Sequence, residues 1–329
     1  MKCINKRLAL RHRLIAGLLS FLLLISMTGC GRLDYSAEYG TVGMENGLAK
    51  TDLDSKSSSF ATDLCVCTTD LLGDGQLDLS SSEAAVLFDI NNKEVVYSKN
   101  AFESLYPASV TKIMTALIAI KYGKMDDVLV ATNAVNINES GAQKIGIKAG
   151  DSMTLYQALN ILMLYSANDV ANLIAENIGG SIQGFVQMMN NEAIRLGATN
   201  THFVNPHGLS DADHYTTAYD LYLIFNECIK YDEFVNIISL PTYETSITDG
   251  NGNPKSVSVK NTNGYVNGNT SSPSNVNVIG GKTGTTSAAG HCLILYSKDV
   301  NGAPFISVVL RSESTDSLYK DMSTLLEAM

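Results

Sequence analysis

The stretch Tyr106-Pro107-Ala108-Ser109-Val110-Thr111-Lys112-Ile113-Met114-Thr115-Ala116 organises the reading of this 329-residue sequence. Val110, Ile113, Met114, Leu117 and Ile118 recur at helical spacing, and most of the residues between them are apolar too. That pattern predicts a helix buried around most of its circumference, because a surface helix would show a polar face. Ser109 and Lys112 break the pattern. Standing three apart, they place a hydroxyl and an amine on one face, one turn from each other. The hydroxyl falls at the N-terminal end, where free N–H groups and the helix dipole favour developing negative charge. An amine on so apolar a helix is expected to be desolvated, which lowers its pKa and lets the neutral form accept a proton. A capping Ser and a Lys reaching back to water would leave the same letters, so the pair carries no chemistry on its own.

Working outward, Glu83–Ile90 and Glu94–Ser98 flank Asn91-Asn92-Lys93 and predict a hairpin before this helix. Beyond it, Thr154–Leu164 predicts a second apolar helix, capped by Asp151 or Ser152. Asp169–Asn177, ending at Gly179-Gly180, predicts a third, and Ile182–Leu196, stopped by Gly197, a fourth. Residues 249–276 are crowded with Asn, Gly and Ser and predict a long exposed loop. Val278–Thr286, Cys292–Ser297 and Phe305–Arg311 then predict strands, and Ser314–Glu327 a closing helix. A hairpin, several helices, then strands and a helix fit an α/β (α+β) fold: an antiparallel sheet covered by helices, with both chain ends contributing strands, plus a mainly helical region. No internal repeat is visible, and residues 83–329 are expected to form one domain.

Two further motifs follow in chain order. Ser166-Ala167-Asn168 lies on the break between the second and third helices, where a hydroxyl and an amide could shuttle a proton and hold a substrate amide. Read alone, it is a helix-linking turn in which Asn168 or Asp169 caps the next helix. Lys282-Thr283-Gly284 lies on a strand after Gly280-Gly281; Gly284 leaves room for a ligand backbone to pair along that strand, and Lys282 with the hydroxyls of Thr283 and Thr285 could bind a carboxylate. Each motif is weak singly. In this order, each in its expected structural setting, they reinforce one another.

Ser-x-x-Lys, Ser-x-Asn and Lys-Thr-Gly in succession resemble the penicillin-binding proteins and serine β-lactamases. The longer strings Tyr106–Ala116, Asn205-Pro206-His207-Gly208-Leu209 and Lys282-Thr283-Gly284-Thr285-Thr286-Ser287-Ala288-Ala289-Gly290 resemble one branch, the low-molecular-mass D-alanyl-D-alanine carboxypeptidases, over residues 83–329. The resemblance implies a penicillin-binding transpeptidase/β-lactamase-like fold and a serine D,D-peptidase that trims the terminal D-Ala of peptidoglycan stem peptides. In it Ser109 is the acylated nucleophile and Lys112 the general base. Ser166 and Asn168 serve proton transfer and substrate binding. Lys282, Thr283, Gly284 and Thr285 form the substrate-binding strand, and the N–H groups of Ser109 and Thr285 the oxyanion hole. It implies a stem peptide ending in D-Ala-D-Ala as substrate, β-lactam antibiotics as covalent inhibitors, and no metal or organic cofactor. Rival readings are a serine β-lactamase and a non-catalytic β-lactam-sensing or wall-binding lipoprotein of the same fold. Against the first, none of Glu176, Glu192, Glu227, Glu233 and Glu244 has Asn four residues on, the setting that activates the deacylating water in class A lactamases. His202, His207, His214 and His291 invite a Ser-His-Asp reading, but Ser109 lacks a Gly-x-Ser-x-Gly elbow, and His207 in its Pro-His-Gly turn reads as structural.

Hydrophobic residues make up 45% of the chain and charged ones 17%, enough apolar material for a sizeable core. Lys2, Lys6, Arg7, Arg11 and Arg13 form a basic start without an acid, followed by an apolar run from Leu14 to Met27 that is too short for a comfortable membrane span of roughly 20 residues. Met27-Thr28-Gly29-Cys30 closes it and resembles the bacterial lipobox, whose Cys becomes the lipid-bearing first residue of the mature chain; an uncleaved signal anchor is the alternative. The expected organisation is a lipoprotein signal peptide at 1–29, a flexible tether at 30–82, and a catalytic domain at 83–329. The domain would then sit outside the cytoplasm, on the outer face of the cytoplasmic membrane, lipid-anchored at Cys30. Members of the branch carry a further β domain and an anchoring helix at the carboxyl end; this sequence ends soon after the catalytic region, so the anchor is expected at the amino end. Their carboxylate-binding Arg has its nearest candidate in Arg311. Residues 1–29 hold five positive charges and no negative one, so their removal takes the net charge from −10 to −15. Such a field repels polyanions and argues against nucleic acid as a partner. Of the six cysteines, Cys65 and Cys67 fall in the tether, Cys228 and Cys292 are expected to be buried as small hydrophobes with a bridge between them possible on composition, and no His/Cys cluster has metal-ligand spacing.

Overall fold

The computed structural model describes residues 61–72 and 77–329. The hairpin forms as expected, from β1 (Ser82–Asp89) and β2 (Glu94–Lys99). A 3-10 turn over Ala108–Thr111 leads into α1 (Lys112–Tyr122), whose first eight residues are all buried. Next come β3 (Val128–Val130), β4 (Ser152–Thr154) and α2 (Leu155–Tyr165). The cap of α2 is Thr154, not Asp151 or Ser152: Thr154 accepts from the Gln157 N–H while the Gln157 side chain accepts from the Thr154 N–H, a reciprocal capping box. Then follow α3 (Asn168–Gly179), α4 (Ile182–Arg195), α5 (Ala218–Cys228) and α6 (Asp232–Ile238). Residues 249–276, expected to be loop throughout, instead contain β6 (Pro254–Lys260), paired with β5 (Thr242–Thr248), and the short α7 (Gly264–Asn267). The chain closes with β7 (Val276–Thr286), β8 (Gly290–Asp299), β9 (Pro304–Ser312) and α8 (Thr315–Glu327).

The main sheet has the order β2-β1-β9-β8-β7 and is antiparallel throughout, so the first and last strands of the fold lie side by side. Its central strands are buried on both faces, which is why they read as nearly continuous apolar runs. Along β1, Ala85 and Leu87 meet Leu318, Met322, Leu325 and Leu326 of α8. Ala84, Val86 and Phe88 turn to the opposite face and join α1 and α5 in the larger core. Each fully buried large side chain stabilises the fold by about 1.5–3 kcal/mol relative to exposure, so α1, enclosed in the larger core, contributes strongly. A second sheet, β3-β4-β5-β6, borders the helical region.

The described part of the expected tether is largely exposed but touches the domain at several points. Cys65 and Cys67 are buried, Tyr222 Oη accepts the Cys65 N–H at 2.8 Å, and Leu71 pairs with Ser98 at the outer edge of β2. All four described cysteines are free, Cys228 and Cys292 included. Cys30 and the leader lie outside the described residues.

Candidate active site

Ala108, the residue before Ser109, has φ +49 and so stands in the left-handed region that disfavours side chains with a Cβ. This kink starts the 3-10 turn that presents Ser109 at the mouth of α1. One turn on, Lys112 is fully buried. Its Nζ lies 3.0 Å from Ser109 Oγ, 2.7 Å from Asn168 Oδ1 and 2.6 Å from the carbonyl oxygen of His207. Ser166 ends α2 in the left-handed region at φ +67, and Asn168 opens α3. The second motif therefore turns Asn168 toward Lys112 and Ser166 toward Lys282. Lys282, also buried, comes from β7 and donates to Ser166 Oγ at 3.0 Å and to the Thr283 carbonyl at 2.8 Å. The three motifs meet through their two lysines.

Burial sets the electrostatics. Desolvation, reinforced by the neighbouring charge of Lys282, holds Lys112 well below the ordinary lysine value, while Asp169 acts in the opposite direction. Burial alone brings Lys282 down to about 7. His207 is held at about 3 by burial and the nearby Lys112, so its imidazole stays neutral. Its backbone carbonyl, not its ring, faces the lysine, which fits the structural reading of this histidine.

A cleft of about 960 Å³ opens over Ser109, Ser166 and Asn168 and runs along Thr283, Gly284 and Thr285 of β7. Gly284 is required by proximity: a Cβ there would sit 2.9 Å from the Ser109 nitrogen. Thr283 Oγ1 is 2.6 Å from Thr262 Oγ1, and Thr285 Oγ1 is 3.4 Å from His291 Nδ1. Arg311 does not line this cleft. It stands exposed at the end of β9 in an adjacent groove with Lys99 and Asn100, so its expected role as carboxylate ligand is not supported by its position.

Two parts of the site were not read from the sequence. The segment Glu139–Gln143 forms one wall of the cleft. It is tied to the second motif, since the Asn168 N–H donates to the Gln143 carbonyl at 2.8 Å, and the buried Asp169 carboxylate accepts from the N–H groups of Ile145, Gly146, Ile147 and Val170. The other is the backbone contact made by the loop Asn205–Leu209, a string that carries the family resemblance but does not itself show this contact. Asn205 Oδ1 accepts from the N–H groups of His207 and Gly208, folding the loop so that two carbonyls reach α1: His207 to Lys112, and Pro206 to Thr115 Oγ1 at 2.6 Å.

This geometry agrees with comparisons to known proteins. A family model described as D-alanyl-D-alanine carboxypeptidase matches residues 74–314. The chain belongs to the D-alanyl-D-alanine carboxypeptidase family. It is 34% identical over 226 residues to the D-alanyl-D-alanine carboxypeptidase DacF of Bacillus subtilis, covering 67% of this chain and 55% of that protein. It is 32% identical over 251 residues to DacA of Escherichia coli K12, covering 72% and 57%. The chain thus spans little more than half the length of these curated relatives. Among solved structures, the Streptomyces K15 DD-transpeptidase superposes with a TM-score of 0.70 at 26% identity, covering 80% of this chain and 98% of that one. A D-alanyl-D-alanine carboxypeptidase from Mycobacterium tuberculosis H37Rv gives 0.65 at 26%, covering 75% and 90%. These matches establish the α/β architecture, an antiparallel five-stranded sheet with a helical region, as that of serine D,D-peptidases.

Proposed function

We propose that the protein is a serine D,D-carboxypeptidase that removes the terminal D-Ala of peptidoglycan stem peptides, outside the cytoplasm and lipid-anchored at Cys30. The observation that carries the reading is the position of Lys112 Nζ between Ser109 Oγ and two carbonyl oxygens, in a buried setting that favours the neutral amine. Ser109 Oγ attacks the carbonyl of the penultimate D-Ala and passes its proton to Lys112. The N–H groups of Ser109 and Thr285 hold the oxyanion, which an optimal pair stabilises by several kcal/mol. The C–N bond then breaks, the leaving D-Ala amine takes up a proton delivered through Lys112 and Ser166, and water hydrolyses the Ser109 ester. Asn168 holds the substrate amide, and Lys282 with Thr283 and Thr285 receives the terminal carboxylate; Gly284 lets the peptide backbone lie against β7. A β-lactam enters by the same attack, with ring opening in place of loss of D-Ala.

The test is intact-mass analysis after incubation with a penicillin, and D-Ala release from a D-Ala-D-Ala peptide with and without an added amine acceptor. The expected result is one penicilloyl adduct on the wild type, none on Ser109→Ala, and net D-Ala release without an acceptor. Equal labelling of both proteins would sink the nucleophile assignment. Turnover only in the presence of the amine would make the protein a transpeptidase.

A further inference from the structure

His214 takes no part in the proton transfers above, yet it is buried to 1% exposure, edge-on to Phe203 with ring centroids 5.6 Å apart. Its partners fix its tautomer. The backbone N–H of Val204 meets Nδ1 at 3.1 Å, and an amide N–H can only donate, so Nδ1 carries the lone pair and the proton sits on Nε2. Nε2 lies 2.8 Å from Thr111 Oγ1, and that hydroxyl lies 2.8 Å from the carbonyl oxygen of Ala108. A carbonyl can only accept, so the hydroxyl hydrogen goes to Ala108 and its lone pair receives the imidazole N–H. Three bonds therefore run in one direction, from Val204 through His214 and Thr111 to Ala108, and each polarises the next.

The end of this chain is the left-handed residue that precedes the nucleophile. The Ala108 carbonyl and the Ser109 N–H belong to one planar trans peptide and point opposite ways. Anchoring the oxygen therefore fixes the aim of the N–H, and Gly284 of β7 lies close to the Ser109 nitrogen. We propose that His214 is a positioning residue for the oxyanion site: acting through Thr111 and the Ala108 carbonyl, it aims the Ser109 N–H at the substrate oxygen. The inference rests on Ser109 as the acylated nucleophile. His214 serves as a neutral donor; burial holds it down at about 4, Asp211 pulling upward and His202 and Lys112 pushing further down. Protonating Nδ1 would set an N–H against the Val204 N–H.

The test separates aiming from simple support. In His214→Leu, the rate constant for acylation by a penicillin is expected to fall about tenfold to a hundredfold, below the loss from deleting an oxyanion donor outright. The dissociation constant of the initial non-covalent complex should stay close to that of the wild type, and affinity for a peptidyl boronate, which forms a tetrahedral adduct, should fall in step with the rate. His214→Gln, whose amide N–H can reach Thr111, should recover most of the rate. Thr111→Val combined with His214→Leu should be little worse than either alone, because both cut one chain. Acylation by His214→Leu at the wild-type rate, no rescue by Gln, or additive losses would each overturn the proposal. If the variants do not fold, ¹⁵N NMR of the unmodified protein decides: His214 should be the neutral Nε2–H tautomer from roughly pH 5 to 9, against an unperturbed histidine near 6.5, and an Nδ1–H tautomer or imidazolium there refutes the chain. A wild type that no penicillin acylates would remove the nucleophile reading itself, while the NMR tautomer would still report on the hydrogen-bond chain.

Discussion

Gly208→Ala probes how tightly the Asn205–Leu209 loop is fitted to the nucleophile's turn. Gly208 has φ +87, and a Cβ at this position would lie 1.8 Å from the Ala108 oxygen, 2.4 Å from its carbonyl carbon and 2.8 Å from Thr111 Oγ1. The left-handed backbone costs an L-residue about 1–2 kcal/mol. The collision adds an overpacking cost of about 1–3 kcal/mol, since the two backbones must move apart by more than an ångström. Together the substitution should destabilise the protein by about 2–5 kcal/mol. Gly252→Ala is the control: Gly252 has φ +84 but nothing within 4 Å of the added Cβ, so only the conformational part applies. Urea unfolding of both variants isolates the collision as their difference. Chemistry should suffer as well, because the retreating loop carries the His207 carbonyl, now 2.6 Å from Lys112 Nζ, and displacements of about 1 Å can cost on the order of 10²-fold in rate. If the two variants were equally stable and Gly208→Ala were acylated by penicillin as fast as the wild type, the close fit described here would be wrong.

Two further predictions concern the base and the anchor. Lys112→Ala should lose about 10²–10⁴ in acylation rate while remaining folded, and acylation of the wild type should fall as the pH drops through the Lys112 pKa, because the ammonium cannot accept the serine proton. Since burial lowers that pKa, the fall should come well below 10.5; a stopped-flow acylation profile that falls only near the ordinary lysine value would place the base elsewhere. For the anchor, Cys30→Ala should abolish incorporation of radiolabelled palmitate and leave penicillin acylation intact, whereas a wild type that takes up no palmitate would refute lipidation at Cys30.

How much of this could be read in advance depended on where the determining contacts lie. β8 and β9 announced themselves because they are buried over long apolar runs, and α1 because it is enclosed on nearly every side. β5 and β6 did not: Thr242–Thr248 and Pro254–Lys260 are mostly polar, and their exposed residues dominate the composition. α5 has a weaker sequence signature, although Thr217 caps it by accepting the Asp220 N–H, a local signal. The neighbours of Cys65 and Cys67 are polar and suggest a tether, but Cys65 is held by Tyr219 and Tyr222, more than 150 residues away. Within the site, the side chains that meet around the two lysines were legible because each motif is a short string. The main-chain partners were not, since a backbone carbonyl leaves no letter of its own; only the glycine after His207 hinted that two chains pass in contact.

The arrangement around Lys112 also explains why one site holds two buried lysines with no carboxylate among the described residues paired to either amine. A neutral amine has two N–H groups and one lone pair. The Asn168 and His207 oxygens can only accept, so they occupy the two N–H groups and leave the lone pair to face the one partner that can donate, the Ser109 hydroxyl. An ammonium would also fit these three oxygens, but it would meet the desolvation cost and the charge of Lys282. In the proposed mechanism the resting amine is the base, and the proton taken from Ser109 would make a cation whose carbonyl partners are already in place. Asp169 lends that cation further support, although its own oxygens are occupied by the backbone N–H groups of Ile145, Gly146, Ile147 and Val170. Lys282 has a weaker set of partners, a hydroxyl and its neighbour's carbonyl, and lies at about 7, where a substrate carboxylate entering the cleft would draw it toward the charged form. In the proposed mechanism two residues of one type thus divide the work: one amine kept neutral to take a proton, the other poised to become positive when the substrate's negative end arrives.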